Sequence, residues 1–313
     1  MIVIFEELEK ISSLSPEERV SLFGNVKKSP PSNRLHRSSM MLNPLNLKHL
    51  NRLDELEADA VTLNLEDAIA PSRKKEALIN IALFLSHLES SPSFVIVRTN
   101  PLDMGGREEI EFLDDFGFDA VRIAKVRRVA EIEEALSLVG DDKEIHISLE
   151  TAEAFRDLSK WRGVDSRFTT ANLGILDLLA DLKLPQNALK TDNPLAMHIL
   201  SRFLTDASIA GLRAVSFMYQ DYRDTTGFEE WCRIEKSMGF GSKACMGPAQ
   251  VKIANEIFGM ERDALSRALE IKEAFEKNSA SDINGFMHEK YGFIDEPIYK
   301  DALNTIEAFE KGR

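Results

Sequence analysis

From Ser39 to Met246 the chain repeats one alternation: a short apolar, β-rich run is followed by a longer stretch with helical period. The runs are Ser39–Asn43, Ala60–Leu65, Phe94–Thr99, Ala120–Val126, Glu144–Glu150, Arg167–Leu173, Arg213–Tyr219 and Ser242–Met246. Helical patterns such as Ser72–Leu88, Val129–Val139 and Pro194–Ala210 separate them. Short β-rich runs between helical patterns predict parallel strands with crossover helices. Eight such units is the number that closes a parallel barrel. An open doubly wound sheet is the rival. It usually has fewer strands and often a glycine-rich phosphate loop after the first, whereas this turn reads NPLN. The expected fold is therefore α/β, a (β/α)8 TIM barrel.

Three regions are expected. Residues 1–34 read as an N-terminal extension that ends in the linker-like KKSPPSN, and its amphipathic EELEKISSL stretch packs on the barrel by default. Residues 35–260 form the catalytic barrel. Residues 261–313 read as a C-terminal helical segment, two helical patterns around a polar turn, expected at a subunit interface. No apolar run reaches the roughly 18 residues of a membrane span. The start MIVIFEELEK lacks the basic opening and cleavage site of a signal peptide. Cys232 and Cys245 have neither metal-ligand nor redox spacing, which fits a reducing cytoplasm. A formal charge of −13 argues against a nucleic-acid partner, although a few basic groups in a cleft still suit a small anion.

Chemistry in such a barrel gathers at the C-terminal ends of the strands. Those ends carry Asn43, Glu66, Asp67, Arg98, Asn100, Lys125, Glu150, Asn172, Asp177, Gln220 and Asp221. Glu150 and Asp177 fall at the tops of adjacent strands. Two carboxylates there meet the oxygen-ligand demand of Mg2+, and helix capping or surface ion pairing is the alternative. In EIHISLE, His146, Ser148 and Glu150 share one face, which places His146 in the barrel interior as a hydrogen-bonded core histidine. Arg98 ends the apolar run SFVIV, where an arginine needs a partner; Glu66 or Asp67 and a substrate carboxylate are equal candidates. Lys125 suits charge neutralisation or substrate contact better than Schiff-base chemistry.

In order along the chain, LNLEDAIAPSRKKEA (Leu63–Ala77), VIVRTNP (Val95–Pro101), IAKV (Ile123–Val126), SLETAEA (Ser148–Ala154), GILDLLADL (Gly174–Leu182), GFGSKACMGPAQVKIANEIFG (Gly239–Gly259) and GFIDEPIYKDAL (Gly292–Leu303) resemble the HpcH/HpaI aldolase and citrate lyase β-subunit superfamily. Malyl- and citramalyl-coenzyme A lyases belong to it. The resemblance implies a TIM barrel, a Mg2+ ion, a small 2-oxo or 2-hydroxy acid substrate, and a thioester of coenzyme A or of an acyl carrier protein. By position it makes Glu150 and Asp177 the metal ligands and Arg98 the clamp on the acid. Glu66 and Asp67 order Arg98 and metal-bound water, while Arg37 and Lys125 become substrate contacts. Asp295 becomes the aspartate that a neighbouring subunit supplies for proton transfer, within a homo-oligomer (trimer or hexamer).

The chain departs from the family pattern around that centre. Leu45 replaces a glycine in RSSMMLNPLN (Arg37–Asn46), Met246-Gly247-Pro248 replaces a histidine before proline, and Asn64 replaces an aspartate. Drift around a kept centre is the mark of an altered substrate. The leading expectation is a Mg2+-dependent lyase that cleaves or forms a hydroxy-acid thioester. An aldolase for free pyruvate and an aldehyde, and a barrel without catalysis, remain beside it.

Overall fold

The computed structural model describes residues 4–30, 35–259, 262–279 and 284–311. Its eight parallel strands are β1 (Ser38–Leu42), β2 (Ala60–Asn64), β3 (Phe94–Thr99), β4 (Ala120–Ile123), β5 (Glu144–Leu149), β6 (Phe168–Leu173), β7 (Arg213–Val215) and β8 (Lys243–Cys245). They are ordered β7-β6-β5-β4-β3-β2-β1-β8, and β8 pairs with β1 through Ser38↔Lys243 to Met40↔Cys245. A bridge between Ser216 and Lys243 brings β7 toward β8, so the sheet curls into a nearly closed (β/α)8 barrel, as expected.

Alternation along each strand divides the apolar residues between two cores. Val61, Leu63, Val95, Val97, Val121, Ile145 and Ile147 join the large core beneath the helices. Ala60, Phe94, Ile96 and Ala120 form a separate small apolar plug. Asn64, Arg98 and Arg122 continue the plug's parity upward, and register aligns all three with one another. The plug therefore floors a polar layer. His146 is buried and lies parallel to the Phe94 ring at 5.8 Å, while its Nε2 pairs with Glu144 Oε2 at 3.2 Å.

By its own contacts the chain divides into two compact units, and residues 4–30 fall with 36–258 in the first. Short helices Leu8–Ser13 and Pro16–Val20 are joined by a capping box at Ser15 and Glu18. Phe5 packs edge-on against Phe84 at 5.2 Å. Buried Arg19 donates from Nη1 to Asn80 Oδ1 at 2.6 Å, and Asn80 Nδ2 donates to the Pro44 carbonyl at 3.1 Å. The amphipathic stretch thus lies on the barrel's helical layer. Part of the linker-like tract, Pro31–Asn33, is outside the described residues.

The second unit contains residues 259–311 with Leu35. Its helices are Arg262–Ser279 and Glu296–Lys311, with Ala268, Ile271, Phe275, Ile294 and Ala302 in a small core. The segment expected to be a polar turn is in fact an antiparallel hairpin of β9 (Gly285–His288) and β10 (Gly292–Asp295). In GFMHEKYGFID the apolar residues fall as adjacent pairs, Phe286-Met287 and Phe293-Ile294, which give no period-two signal to separate a strand from a loop. Among the described residues no helix is long and apolar enough to cross a membrane.

Candidate active site at the C-terminal mouth of the barrel

The charged centre is built by strand ends. Asn64, the last residue of β2, accepts Arg98 Nε on Oδ1 at 2.7 Å and the Glu66 N–H at 3.1 Å. Its Nδ2 donates to the Asp67 carbonyl at 2.5 Å, which ties the turn after β2 to the guanidinium of β3. Arg98 then reaches Glu66 Oε2 at 2.8 Å from Nη2, and Nη1 stands 3.7 Å from Glu150 Oε1. Lys125 Nζ holds the other oxygen of Glu66 at 2.6 Å and approaches Asp67 Oδ2 at 3.3 Å. Ala68 and Lys125 adopt positive φ, 71° and 52°, a conformation uncommon outside glycine. Such strain persists where surrounding contacts over-determine the backbone. Here hydrogen bonds and ion pairs fix both loops.

Burial and charge act against each other. Burial disfavours the Glu66 carboxylate, but Arg98, Lys125 and the Asp67 N–H outweigh it and hold the group below its usual range. Burial and the neighbouring Glu66 raise Asp67. Burial works to lower Lys125, but Glu66 and Asp67 prevail and raise it. It is therefore an ammonium ion, unsuited to forming a Schiff base. Arg122, missed in the sequence reading, is fully buried, donates from Nε to Ser148 Oγ at 2.8 Å, and is lowered to about 9 by burial and the nearby Arg98. The signal was available, because AVRIA sets an arginine inside an apolar strand just as FVIVR does.

Glu150 is buried and its carboxyl is raised, chiefly by burial, with Glu66 and Asp177 adding to the effect against Arg98 and Arg122. Its Oε2 has no hydrogen-bond partner among the described residues. Asp177 lies in the first turn of the helix Ile175–Asp181, is exposed, and makes no hydrogen bond or ion pair to a described residue. Gly174 starts that helix, and a Cβ placed there would collide with Glu150 Cγ and stand 2.8 Å from its Oε1 and 2.9 Å from its Cδ. The glycine makes room for the carboxylate. One orphaned oxygen and one free carboxylate are the donor set that Mg2+ takes when water and substrate complete its shell. No cluster of three or more His, Cys, Asp or Glu side chains suited to a metal occurs among the described residues.

These groups line a cavity of about 350 Å3. Arg98, Glu150, Asp177 and Asp67 face it, with Asn64, Arg122 and Asn172. Glu66 and Lys125 stand behind that lining and act on it through Arg98 and Asp67. Arg37, expected as a substrate contact, lies at the opposite end. It precedes β1 and holds Asp59 with Nε at 2.7 Å and Nη2 at 2.9 Å. Its order before the strand, rather than after it, removes it from the mouth. Asp295 closes β10 in the second unit and caps the following helix by accepting the Ile298 N–H at 3.3 Å.

A parallel barrel whose strand tops set two carboxylates beside a buried arginine offers charged groups of both signs to a small polar ligand. Comparison with known proteins makes the family definite: this chain belongs to the HpcH/HpaI aldolase/citrate lyase family, carbon–carbon lyases, which it matches over residues 37–248. It is 31% identical over 230 residues to a (3S)-malyl-CoA thioesterase of Cereibacter sphaeroides, covering 73% of this chain and 79% of that protein. An L-malyl-CoA/β-methylmalyl-CoA lyase of the same species is 26% identical over 250 residues, covering 71% and 79%. The crystal structure of CitE from Mycobacterium tuberculosis with magnesium, acetoacetate and coenzyme A shares the fold, with a TM-score of 0.70 at 21% identity over 89% of this chain and 98% of that one.

Proposed function

We propose that this protein is a Mg2+-dependent carbon–carbon lyase that cleaves or forms a hydroxy-acid thioester of coenzyme A, with Glu150 and Asp177 as the metal ligands. The observation that carries the reading is the buried, unpartnered Glu150 oxygen facing the same cavity as free Asp177 and paired Arg98. Mg2+ at those carboxylates supplies Lewis-acid stabilisation of the acid's oxygens. Arg98 is fixed by Asn64 and Glu66 before substrate arrives, so its charge needs no reorganisation to meet negative charge developing on oxygen. Lys125 keeps Glu66 ionised, and Glu66 in turn keeps Arg98 in place. In the cleavage direction the hydroxyl proton is lost, the carbon–carbon bond breaks, and a thioester enolate takes up a proton. Asp295 is assigned that last transfer, supplied by a neighbouring copy within a homo-oligomer. Relatives named for malyl-CoA support coenzyme A over an acyl carrier protein as the thioester carrier.

Calorimetric titration of Mg2+ with oxaloacetate or pyruvate, followed by acetyl-coenzyme A, tests the proposal. Binding of the acid should require Mg2+ and vanish in Asp177→Ala, and acetyl-coenzyme A should then bind. Acid binding without any response to acetyl-coenzyme A favours an aldolase for free oxo acids, and no binding of acid or metal favours a non-catalytic barrel. A second reading, thioester hydrolysis, is favoured by the malyl-CoA thioesterase relative. Products separate the two: the lyase releases an oxo acid, the hydrolase free coenzyme A and the intact hydroxy acid.

A further inference from the structure

Two arginines reach the cavity from adjacent strands, and only one of them has its charge offset. Arg98 gives Nε to Asn64 and Nη2 to Glu66 at 2.8 Å, and its Nη1 stands 3.7 Å from Glu150. Arg122 is level with it on β4 and only 5% exposed, yet it has a single hydrogen bond, from Nε to Ser148 Oγ at 2.8 Å. It makes no ion pair with a described residue, and its Nη1 and Nη2 have no hydrogen-bond partner among them. Burial, with Arg98 beside it, outweighs the attraction of Glu150 and Glu66 for its charge. A buried cation without a counter-ion is costly, and an open guanidinium fork is the shape that a carboxylate fills.

The place of Arg122 in the cavity decides which end of a ligand it meets. Ser148, its partner, comes two residues before Glu150 on the same face of β5, and Ala120 of the apolar plug comes two residues before Arg122 on β4. The guanidinium is thus anchored on the floor side of Glu150. A cavity of about 350 Å3 is too small for coenzyme A, whose bulk must stay outside. A thioester therefore enters by the mouth, with the acid end of the ligand leading inward. We propose that Arg122 is a substrate-binding residue whose open fork receives the carboxylate of the hydroxy or oxo acid, leaving Arg98 to the reacting oxygen beside Glu150. The inference rests on the lyase reading above and divides recognition of the acid between two arginines. Paired hydrogen bonds from a guanidinium fix a carboxylate's orientation as well as its charge. A carboxylate turned to the floor leaves the breaking carbon–carbon bond facing the mouth, where the thioester fragment departs.

The test is calorimetry on the full-length protein with Mg2+, comparing pyruvate with pyruvamide, in which a neutral amide replaces the carboxylate. Arg122→Gln should weaken pyruvate by about 10- to 100-fold, the worth of a hydrogen-bonded charge, and should collapse the preference over pyruvamide. Binding of Mg2+ and of acetyl-coenzyme A should stay within about twofold. Arg122→Lys keeps the charge without the fork and should recover part of the loss. Arg122→Met should leave the urea midpoint of the ligand-free protein unchanged or raised, because no counter-ion is stranded. A preference for pyruvate that survives Arg122→Gln overturns the inference and leaves the lyase reading standing; with a lowered midpoint in Arg122→Met it marks the arginine as structural. A loss seen with oxaloacetate but not with pyruvate also overturns it, by placing a second carboxylate at the fork. Absence of Mg2+-dependent binding of either acid to the unaltered protein overturns the lyase reading and this inference with it.

Discussion

Gly174 offers a direct test of whether the Glu150 carboxylate is held where the proposed chemistry needs it. Its φ of −90° is open to alanine, so Gly174→Ala adds a methyl group without forcing the backbone into a left-handed conformation. The new Cβ would collide with Glu150 Cγ and lie 2.9 Å from Cδ and 2.8 Å from Oε1. Carbon atoms in ordinary contact stand about 3.5–4.0 Å apart, so the whole Glu150 side chain must retreat by at least about 1 Å. Misplacement on that scale costs about 10²-fold in rate. Overpacking should cost about 1–3 kcal/mol of stability. The assays are Mg2+ titration, kcat/KM for thioester cleavage, and urea unfolding of the metal-free protein. A variant whose metal affinity and kcat/KM stay within about twofold of the parent would refute the argument. A double-mutant cycle provides a second check that is independent of catalysis. Glu150→Ala removes the side chain that the methyl meets, so Gly174→Ala should become nearly neutral in that background, and strict additivity would show that the contact is irrelevant.

Three further outcomes are expected. Lys243 and Glu235 pair at 2.6 Å with both side chains wholly buried, so Lys243→Met should cost about 3–5 kcal/mol in urea unfolding, and adding Glu235→Leu should recover most of it; a double variant as unstable as the single would exclude an uncompensated charge as the cause. Burial holds His146 below the ordinary histidine range, with Arg213 and Arg122 acting in the same direction against Glu144. Between the folded value and about 6.5 the unfolded chain binds more protons, so stability should fall as pH drops below about 6.5, and the urea midpoints of His146→Phe should show a shallower acid limb. Arg37→Gln should destabilise the protein by about 1–3 kcal/mol through the unpaired Asp59 carboxylate while leaving kcat/KM within about twofold, and a rise in KM for the thioester would restore Arg37 to the substrate contacts.

The barrel was legible because its strands are separated by long helical patterns, and β3 falls on Phe94–Thr99 in both readings. β7 shows the limit. Its apolar run continues to Tyr219, yet the strand ends at Val215 and only Ser216 still bridges to β8; residues 217–219 leave the ladder but stay buried or half-buried. Apolar sequence reports burial and does not distinguish a buried loop from a strand. The hairpin of β9 and β10 was missed for the opposite reason: each strand has four residues with its apolar pair adjacent, so no alternation marks it. At the site, strand-end position found Glu66, Asp67, Arg98, Lys125, Glu150 and Asp177, and the structure brings these into one region. Arg122 stands level with Arg98 in the register, and it was passed over because the apolar run was read on to Val126, which put the strand end at Lys125. Partnership across the barrel, such as Arg98 standing between Glu66 and Glu150, depends on register, which no single strand encodes.

The hydrogen bonds from Arg19 through Asn80 to the Pro44 carbonyl give the N-terminal residues a bearing on the barrel's rim. Asn43, one residue earlier, is part of the cavity lining. A segment laid over the outer helices is therefore mechanically continuous with the lip of the pocket, although it adds no side chain to the chemistry. Selection acting on residues 4–30 has a route to substrate preference that leaves the charged centre untouched. Laboratory evolution has the same route, and libraries confined to the pocket would overlook it.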